Sequence, residues 1–296
     1  MYLIIGANGF IGNHVYQALK ADGRTVKGSF LPAPRNLAAA DAVYLDLERP
    51  DFTPIQSLQG IECVILCHGI SSLDQCRMHP ERTRLINVEN TCRLLECFDP
   101  SQTRIVFLSS SLVYKGDRDA PSEQEKPQPI TEYGRQKADV EAFILRRFSR
   151  ALVLRLTKIF GLTPGDQTLF TQWADRLRAG QKINVATDSS ISPVYVNDLV
   201  IQLRALLYSQ FTGVFNLGGQ QSATLAAWGH QLAGRLGFED QVDEIEINAL
   251  GLVECRARFN SVDSSKLWQA IGKILTPMDT CFELLKTNYG IKGAQP

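Results

Sequence analysis

The chain begins with MYLIIGANGFIGNHVYQAL (residues 1–19), in which Gly6, Gly9 and Gly12 stand three residues apart directly after an apolar run. A strand, a glycine turn and an amphipathic run form a β-turn-α unit. The first turn of its helix has unpaired N–H groups and the positive end of the helix dipole. Because glycines have no Cβ atom, a pyrophosphate can approach the backbone closely. The spacing G-x-x-G-x-x-G differs from the general G-x-G-x-x-G fingerprint, so this stretch alone is only a partial indication of a dinucleotide site.

Strand-like and helix-like runs alternate through the first half of the chain. The β-rich runs are 25–30, 42–45, 63–67, 104–109 and 151–156, and the longest helical stretches are 80–97 and 131–148. This alternation predicts an α/β fold of Rossmann type, with a doubly wound parallel sheet covered by helices on both faces. Several runs are almost continuously apolar, as buried parallel strands are. Ligands of such sheets bind at the carboxyl ends of the strands.

The alternation loosens after about residue 156, which predicts a smaller α/β substrate-binding domain interleaved with the last Rossmann elements. We expect the Rossmann domain to comprise residues 1–156 and about 190–218, and the substrate-binding domain to comprise about 157–189 and 219–296. The polar, proline-bearing segment 115–129 is the candidate for a mobile loop over a site.

The composition excludes several classes of protein. The 31 basic residues balance 31 acidic ones, so no overall field draws the chain to nucleic acid or to an anionic membrane. The seven cysteines are odd in number and lack C-x-x-C pairs with histidine partners, which predicts neither a disulfide framework nor a metal site. No signal peptide or membrane-length apolar run is present in the sequence, so we expect a cytoplasmic protein without a membrane partner.

A second pattern indicates proton-transfer chemistry. Tyr133 and Lys137 are four residues apart on a predicted helix, hence on the same face. A neighbouring ammonium stabilises a phenolate, so we expect Lys137 to lower the pKa of Tyr133 from its free value of about 10. Upstream, the serine run 109–111 ends an apolar strand, where a hydroxyl can bond a substrate carbonyl. Each pattern alone also occurs by chance, but in chain order behind a glycine turn they favour an active site.

Several motifs together resemble the extended short-chain dehydrogenases/reductases, and within them the dTDP-4-dehydrorhamnose reductase branch. They are GANGFIG (6–12), LDL (45–47), HPERTRLINVENT (79–91), LSSSLVY (108–114), YGRQK (133–137), LRLTKIFG (154–161), PVYVNDL (193–199), FNLGG (215–219) and NSVDSSKL (260–267). The resemblance implies hydride transfer from a nicotinamide to the carbonyl of a nucleotide-linked 4-keto sugar. Ser110 then holds the carbonyl oxygen, Tyr133 protonates it, and Lys137 also anchors the nicotinamide ribose. Ser109 and Ser111 stay open as alternatives to Ser110.

Further residues are candidates for holding the dinucleotide. Asn87 matches a cofactor-proximal asparagine of the family, or else bonds internal backbone groups; Asp46 matches an acid at the adenine edge, or else is a turn residue. The cofactor candidates are Gly6, Asn8, Gly9, Phe10, Ile11, Gly12, Ser29, Arg35, Asp46, Leu47, Cys67, His68, Gly69, Asn87, Tyr133 and Lys137.

The expected preference for NADP(H) over NAD(H) depends on an acidic residue that the sequence lacks. An NAD site expects Asp or Glu about 20 residues past the glycines, to bind the ribose diol. The chain has Lys27 and Ser29 there, followed by Arg35. A neutral or basic pocket accepts a 2′-phosphate, so NADP(H) is favoured and NAD(H) stays open. Alternatively, Lys27 and Arg35 are ordinary surface charges.

The expected partner is a small-molecule substrate, a nucleotide sugar, and a homodimer is a candidate assembly. The candidate substrate contacts are Ser111, Phe170, Trp173, Val194 and Arg258. Dehydration is disfavoured, because Ser111 and Leu112 stand where the dehydratases of this superfamily have an Asp-Glu pair. An epimerase with the same catalytic set and a catalytically silent dinucleotide-binding protein are the alternatives.

Overall fold

The computed structural model describes residues 1–31, 41–209 and 211–291. The strands in these ranges are β1 (Tyr2–Ile5), β2 (Val26–Phe30), β3 (Ala42–Tyr44), β4 (Cys63–Leu66), β5 (Arg104–Ser110), β6 (Leu152–Leu156), β7 (Ile159–Phe160), β8 (Ile183–Ala186), β9 (Ser190–Ile191), β10 (Val194–Tyr195), β11 (Gly213–Leu217), β12 (Ala223–Thr224), β13 (Val242–Ile245) and β14 (Phe259–Asn260).

The α-helices in the same ranges are α1 (Phe10–Ala21), α2 (Thr53–Gln56), α3 (Leu73–Met78), α4 (Pro80–Arg84), α5 (Asn90–Leu95), α6 (Glu132–Arg147), α7 (Leu169–Arg178), α8 (Val196–Tyr208), α9 (Leu225–Leu236), α10 (Ser265–Ile271) and α11 (Met278–Asn288). A π-helical turn over Leu85–Glu89 joins α4 to α5. Short 3-10 turns lie at Ser111–Val113, Glu239–Gln241 and Ile247–Leu250. Among these helices, none has the length and hydropathy that crossing a membrane requires.

A parallel sheet forms the centre of the molecule. Within the described ranges it has seven strands in the order β11-β6-β5-β4-β1-β2-β3. The chain runs outward from β1 to β3 and then returns to β4 on the other side of β1. This reversal opens a crevice at the carboxyl ends of β1 and β4, where doubly wound sheets bind ligands. The predicted Rossmann-type fold class is confirmed.

Apolar side chains cover both faces of this sheet. Leu3 and Ile5 of β1 point to one face and pack in a cluster that includes Ile144 of α6. Ile4 points to the opposite face, in a cluster with Leu19 of α1. This alternation follows from the period of two in a strand. All five side chains are fully buried, and burying each contributes about 1.5–3 kcal/mol.

A third core cluster forms after β6, around aromatic rings. The ring centroid of Phe170 lies 4.9 Å from that of Phe160 and 5.0 Å from that of Phe282, both in edge-to-face geometry. Trp173 and Trp228 complete the group. In contrast, Leu267 of α10 packs in the cluster that contains α1, although we expected that region to belong to the second domain. The division into two domains stays a prediction.

The segment 115–129 is fastened to the region around β14. Phe259 N donates to the Gly116 carbonyl and Asp263 N to the Pro121 carbonyl, each at 3.0 Å. Ala120 N donates to Ser261 Oγ, also at 3.0 Å. Its residues line a separate surface cavity and do not line the main cleft described below. The expectation that this segment covers the site is therefore wrong.

Candidate active site

The glycine turn forms a cradle at the amino end of α1. Gly6 has φ +84°, and a Cβ atom on it would lie 2.8 Å from His68 Cα. A Cβ atom on Gly12 would lie 2.1 Å from the Gly6 carbonyl oxygen, so only glycine lets α1 pack this closely on the turn. Gly9 caps α1 without a side-chain hydrogen bond, and the first turn of α1 carries no acid. This cradle of open backbone N–H groups fits a pyrophosphate.

A cleft of about 580 Å³ extends from this cradle across the carboxyl ends of the strands. A second cavity of about 340 Å³ continues it toward β2 and β3, and both are lined by Gly9, Cys67, His68 and Gly69. Phe10 and Ile11 line the first cavity only. The groove is therefore long enough to divide between an extended dinucleotide and a second small molecule.

Tyr133, Lys137 and Ser110 line one region of the main cleft. Lys137 Nζ donates to the Leu108 carbonyl at 2.9 Å and lies 5.6 Å from the ring centroid of Tyr133. Burial lowers the pKa of Lys137 from 10.5 to about 8, and the smaller effects of Cys67 and Glu141 raise it. The side chain is thus held at the cleft floor with a charge that titrates near neutral pH.

The pKa of Tyr133 departs from our expectation. Burial raises it well above its ordinary value, with a smaller contribution from Cys76 in the same direction. The predicted lowering by Lys137 is therefore wrong for the protein without ligands, since the loss of water around the phenol outweighs the ammonium. Tyr133 is fully protonated at neutral pH, and its hydroxyl makes no hydrogen bond within the described residues. It is a proton donor open to the cleft.

The three serines at the end of β5 have different surroundings. Ser109 Oγ donates to Glu141 Oε1 at 2.5 Å, inside a buried network. Ser111 bonds Asn260 Oδ1 and does not line the cleft. Ser110 Oγ only accepts a bond from Leu112 N at 3.2 Å, so its hydrogen has no acceptor among the described residues. Ser110 is the serine whose hydroxyl is available to a ligand.

The network behind Ser109 joins β5, β6, α6 and β11 around a buried ion pair. Arg155 of β6 donates from Nη2 to Glu141 Oε2 of α6 at 2.6 Å, and both side chains are almost fully buried. Arg155 Nη1 also donates to the Tyr114 hydroxyl at 2.7 Å, and that hydroxyl lies 3.0 Å from Asn216 Oδ1 of β11. These bonds hold the end of β5 against α6, which carries Tyr133 and Lys137.

The structure distributes the other cofactor candidates around the second cavity. Ser29 and Asp46 line it, together with Asn8 and Leu47. Ser29 Oγ accepts a bond from Gly6 N at 2.9 Å and so supports the glycine turn, while Asp46 Oδ1 accepts from Glu48 N at 2.8 Å. Arg35 lies outside the described residues.

Asn87 makes the bonds of the second role expected for it, to internal groups of the protein. Its amide donates to the Ile70 carbonyl at 3.0 Å and to Gln136 Oε1 at 2.8 Å, and its oxygen accepts from Ile70 N at 2.8 Å. Both of its amide hydrogens are used, and it lines neither cavity. Asn87 lies within a π-helical turn and fastens the turn after β4 to α6.

Several predicted substrate contacts also need correction. Phe170 and Trp173 belong to the aromatic core, at 0% and 8% exposure, and neither lines the cleft. Val194 is buried and borders a different, small cavity. Arg258 is exposed and lies over the ring of Phe259, outside the cleft. None of these four side chains lines the cleft, and neither does that of Ser111.

Other polar and charged residues also line the cleft. Thr157 and Lys158 follow β6, Arg256 comes from the segment that leads into β14, and Asn260 ends that strand. Arg256 donates to Asp74 Oδ1 at 3.0 Å and to the Glu254 carbonyl at 2.7 Å, which fixes it at the mouth. The sequence could have indicated Lys158. It follows the predicted strand 151–156, which lies next to the strand that ends at the serine run.

A Rossmann sheet with a phosphate cradle, and a serine, a tyrosine and a lysine on one cleft, defines the class of extended short-chain dehydrogenases/reductases. The model of the RmlD substrate binding domain family matches residues 1–280. The chain belongs to this family.

Individual relatives agree with this assignment. The chain is 26% identical over 281 residues to a probable low-salt glycan biosynthesis reductase, Agl14, of Haloferax volcanii, with 92% of this chain and 93% of that protein covered. It is also 26% identical over 232 residues to a probable dTDP-4,6-dihydroxy-2-methyloxan-3-one 4-ketoreductase of Streptomyces antibioticus, covering 77% and 73% of the two chains. A crystal structure of dTDP-4-dehydrorhamnose reductase from Bacillus anthracis in complex with NADP shares the fold, with a TM-score of 0.78 at 18% identity and coverage of 97% and 98%.

Proposed function

We propose that this chain is an NADPH-dependent reductase of a nucleotide-linked 4-keto sugar. The observation that carries the proposal is that Ser110, Tyr133 and Lys137 line one cleft that is continuous with the glycine cradle. The names of relatives agree with it: the Streptomyces protein is described as a 4-ketoreductase, and the Bacillus enzyme was crystallised with NADP.

The dinucleotide supplies a hydride when it is bound. Ser110 donates its free hydroxyl hydrogen to the substrate carbonyl oxygen and holds it beside Tyr133. Tyr133 then gives its proton to that oxygen, and the ammonium of Lys137 stabilises the tyrosinate that remains. The backbone N–H groups of the glycine cradle would hold the pyrophosphate, and the second cavity, with Ser29 and Asp46, would hold the adenosine end.

The preference for NADPH rests on the surroundings of β2. The described residues from Val26 to Leu31 contain no carboxylate that could bind a ribose diol, and the carboxylates of the same cavity, Asp46 and Glu48, come after β3, where Arg82 pairs with Glu48. We expect NADPH to bind more tightly than NADH. Calorimetric titration of both dinucleotides checks this expectation, and equal or reversed affinities would remove it.

Two side chains argue against dehydration, because Ser111 is bonded to Asn260 and Leu112 has no proton to transfer. The activity is tested by following NADPH absorbance with a panel of nucleotide-linked 4-keto sugars. A reductase consumes NADPH in proportion to the alcohol formed. An epimerase inverts the sugar without net consumption, and a silent binding protein does neither.

A cytoplasmic location and a homodimer complete the proposal. All seven cysteines are free thiols, which suits a reducing compartment. The native mass measured by light scattering tests the dimer.

A further inference from the structure

The charged side chains that line the main cleft are of one sign. Lys137, Lys158 and Arg256 are its charged lining groups, and no carboxylate lines it within the described part of the chain. His68 also lines it, but burial lowers the pKa of His68 to about 3 and keeps it neutral. The chain as a whole has no net charge. The positive cleft is therefore a local feature, and it favours an anionic ligand.

Lys158 lies at the reacting end of this cleft. Ser110 of β5 pairs in register with Leu156 of β6, and Lys158 follows Leu156 by two residues. The glycine cradle follows β1, and β5 and β4 stand between β6 and β1 in the sheet. With neighbouring strands about 4.8 Å apart, Lys158 is one strand from Ser110 and three strands from the cradle. The charge of Lys158 is thus placed for the substrate, not for the dinucleotide pyrophosphate.

Lys158 and Arg256 line the same cleft, and the charge of Arg256 acts on Lys158. The cleft walls remove water from Lys158, which lowers its pKa although the side chain is exposed to the open cleft, and the charge of Arg256 lowers it further. Arg256 has a carboxylate partner in Asp74, whereas Lys158 forms no ion pair among the described residues. Like charges brought together in a cleft are unfavourable until an anion lies between them.

We propose that Lys158 and Arg256 form a subsite for an anionic oxygen group of the substrate, beside the carbonyl that is reduced. This inference rests on the proposed function and adds a determinant of specificity. A carboxylate on the sugar supplies such oxygens next to the reacting carbonyl, and the diphosphate that links the sugar to its nucleoside is the other anion of the substrate, which the test must exclude. Arg256 is the anchored member of the pair, and Lys158 is the member whose charge the substrate must satisfy.

The test is calorimetric binding of three probes to the full chain: UDP-glucose, UDP-glucuronate and inorganic pyrophosphate. UDP-glucuronate differs from UDP-glucose by one carboxylate. The variant is Lys158→Met, which keeps the length of an exposed side chain, and the control is Lys182→Met, a surface lysine outside the cleft. We expect Lys158→Met to weaken UDP-glucuronate binding by about tenfold or more, as for loss of a charge-assisted bond. Lys182→Met leaves the affinity unchanged.

The two sources of the anion are separated by the other probes. If Lys158→Met weakens UDP-glucuronate alone, the subsite binds a sugar carboxylate. If it weakens UDP-glucose and pyrophosphate equally, the two cations bind the diphosphate and the carboxylate inference is overturned. The inference is overturned if Lys158→Met leaves every affinity as in the unmodified chain, or if the unmodified chain binds none of the three probes at millimolar concentration.

The outcome does not depend on turnover. If no keto sugar is reduced but Lys158→Met still weakens probe binding, the reductase proposal fails and the subsite stands. If keto sugars are reduced and the calorimetric effect is absent, the reductase proposal stands and the subsite fails.

Discussion

Lys137 is the residue in the cleft whose charge responds to pH near neutrality. Its ammonium is fixed by the Leu108 carbonyl, and burial lowers its pKa to about 8. Tyr133 beside it has a raised pKa and stays protonated over the same range. The proton donor is therefore present throughout, and the charge that stabilises its conjugate base is the variable part.

We expect the rate to fall as pH rises through about 8, because Lys137 is charged below its pKa and neutral above it. An unperturbed lysine would place that fall near 10.5. The measurement is kcat/KM for reduction as a function of pH. Lys137→Arg keeps the charge at all these pH values, so the variant, although slower, should lose the alkaline fall. A fall that persists unchanged in this variant would assign the titration to another group.

Ser109 and Ser110 are adjacent, but Ser109 stabilises the fold whereas the Ser110 hydroxyl is available to a ligand. Ser110→Ala removes the free cleft hydroxyl, so turnover should drop while the melting temperature barely changes. Ser109→Ala removes one of the donors to the buried Glu141 carboxylate, which still accepts from Arg155, and the loss of this bond to a charged group costs about 1.5–3 kcal/mol of unfolding free energy, with a smaller effect on turnover. Urea denaturation and initial rates of both variants check this division. The reverse pattern would make Ser109 the serine that binds the carbonyl.

At the scale of elements, the contact between the glycine turn and α1 determines whether a pyrophosphate can bind. In Gly12→Ala the new Cβ atom would lie 2.1 Å from the Gly6 oxygen, so α1 must move away from the turn. We expect loss of NADPH binding and a lower melting temperature.

Gly234→Ala is the matched control for this substitution. Gly234 lies in α9, is exposed, and has its nearest neighbour at 3.9 Å from the Cβ position. Alanine there should stabilise the chain by about 0.5–1 kcal/mol through helix propensity and leave NADPH binding intact. Calorimetry and thermal melts measure both variants. Normal NADPH affinity in Gly12→Ala would show that the cradle does not hold the cofactor.

At the scale of the whole molecule, the parallel sheet could be predicted because its strands are short apolar runs that alternate with amphipathic helices. The aromatic residues of α7 were misassigned, since an aromatic face on a helix has the same pattern whether it meets a core or a ligand. Phe170 packs against Phe160 and Phe282, and only the packing of distant segments decides this.

The pKa of Tyr133 and the positive charge of the cleft could not be predicted from the sequence either. The spacing of Tyr133 and Lys137 is visible in it, but the loss of water that raises the pKa of Tyr133 depends on the walls of the folded cleft. Lys158 and Arg256 come from segments far apart in the chain, and they face one cleft only in the fold.

The most direct test of the central claim compares the unmodified chain with Tyr133→Phe in NADPH-dependent reduction of a nucleotide-linked 4-keto sugar. The substitution removes one hydroxyl and leaves the ring, the glycine cradle and Lys137 in place. We predict that turnover falls by about a hundredfold or more, the range for loss of a general acid, while the affinity for NADPH stays the same. A Tyr133→Phe variant that keeps most of the turnover would contradict the account, because the proton would then come from a group other than Tyr133.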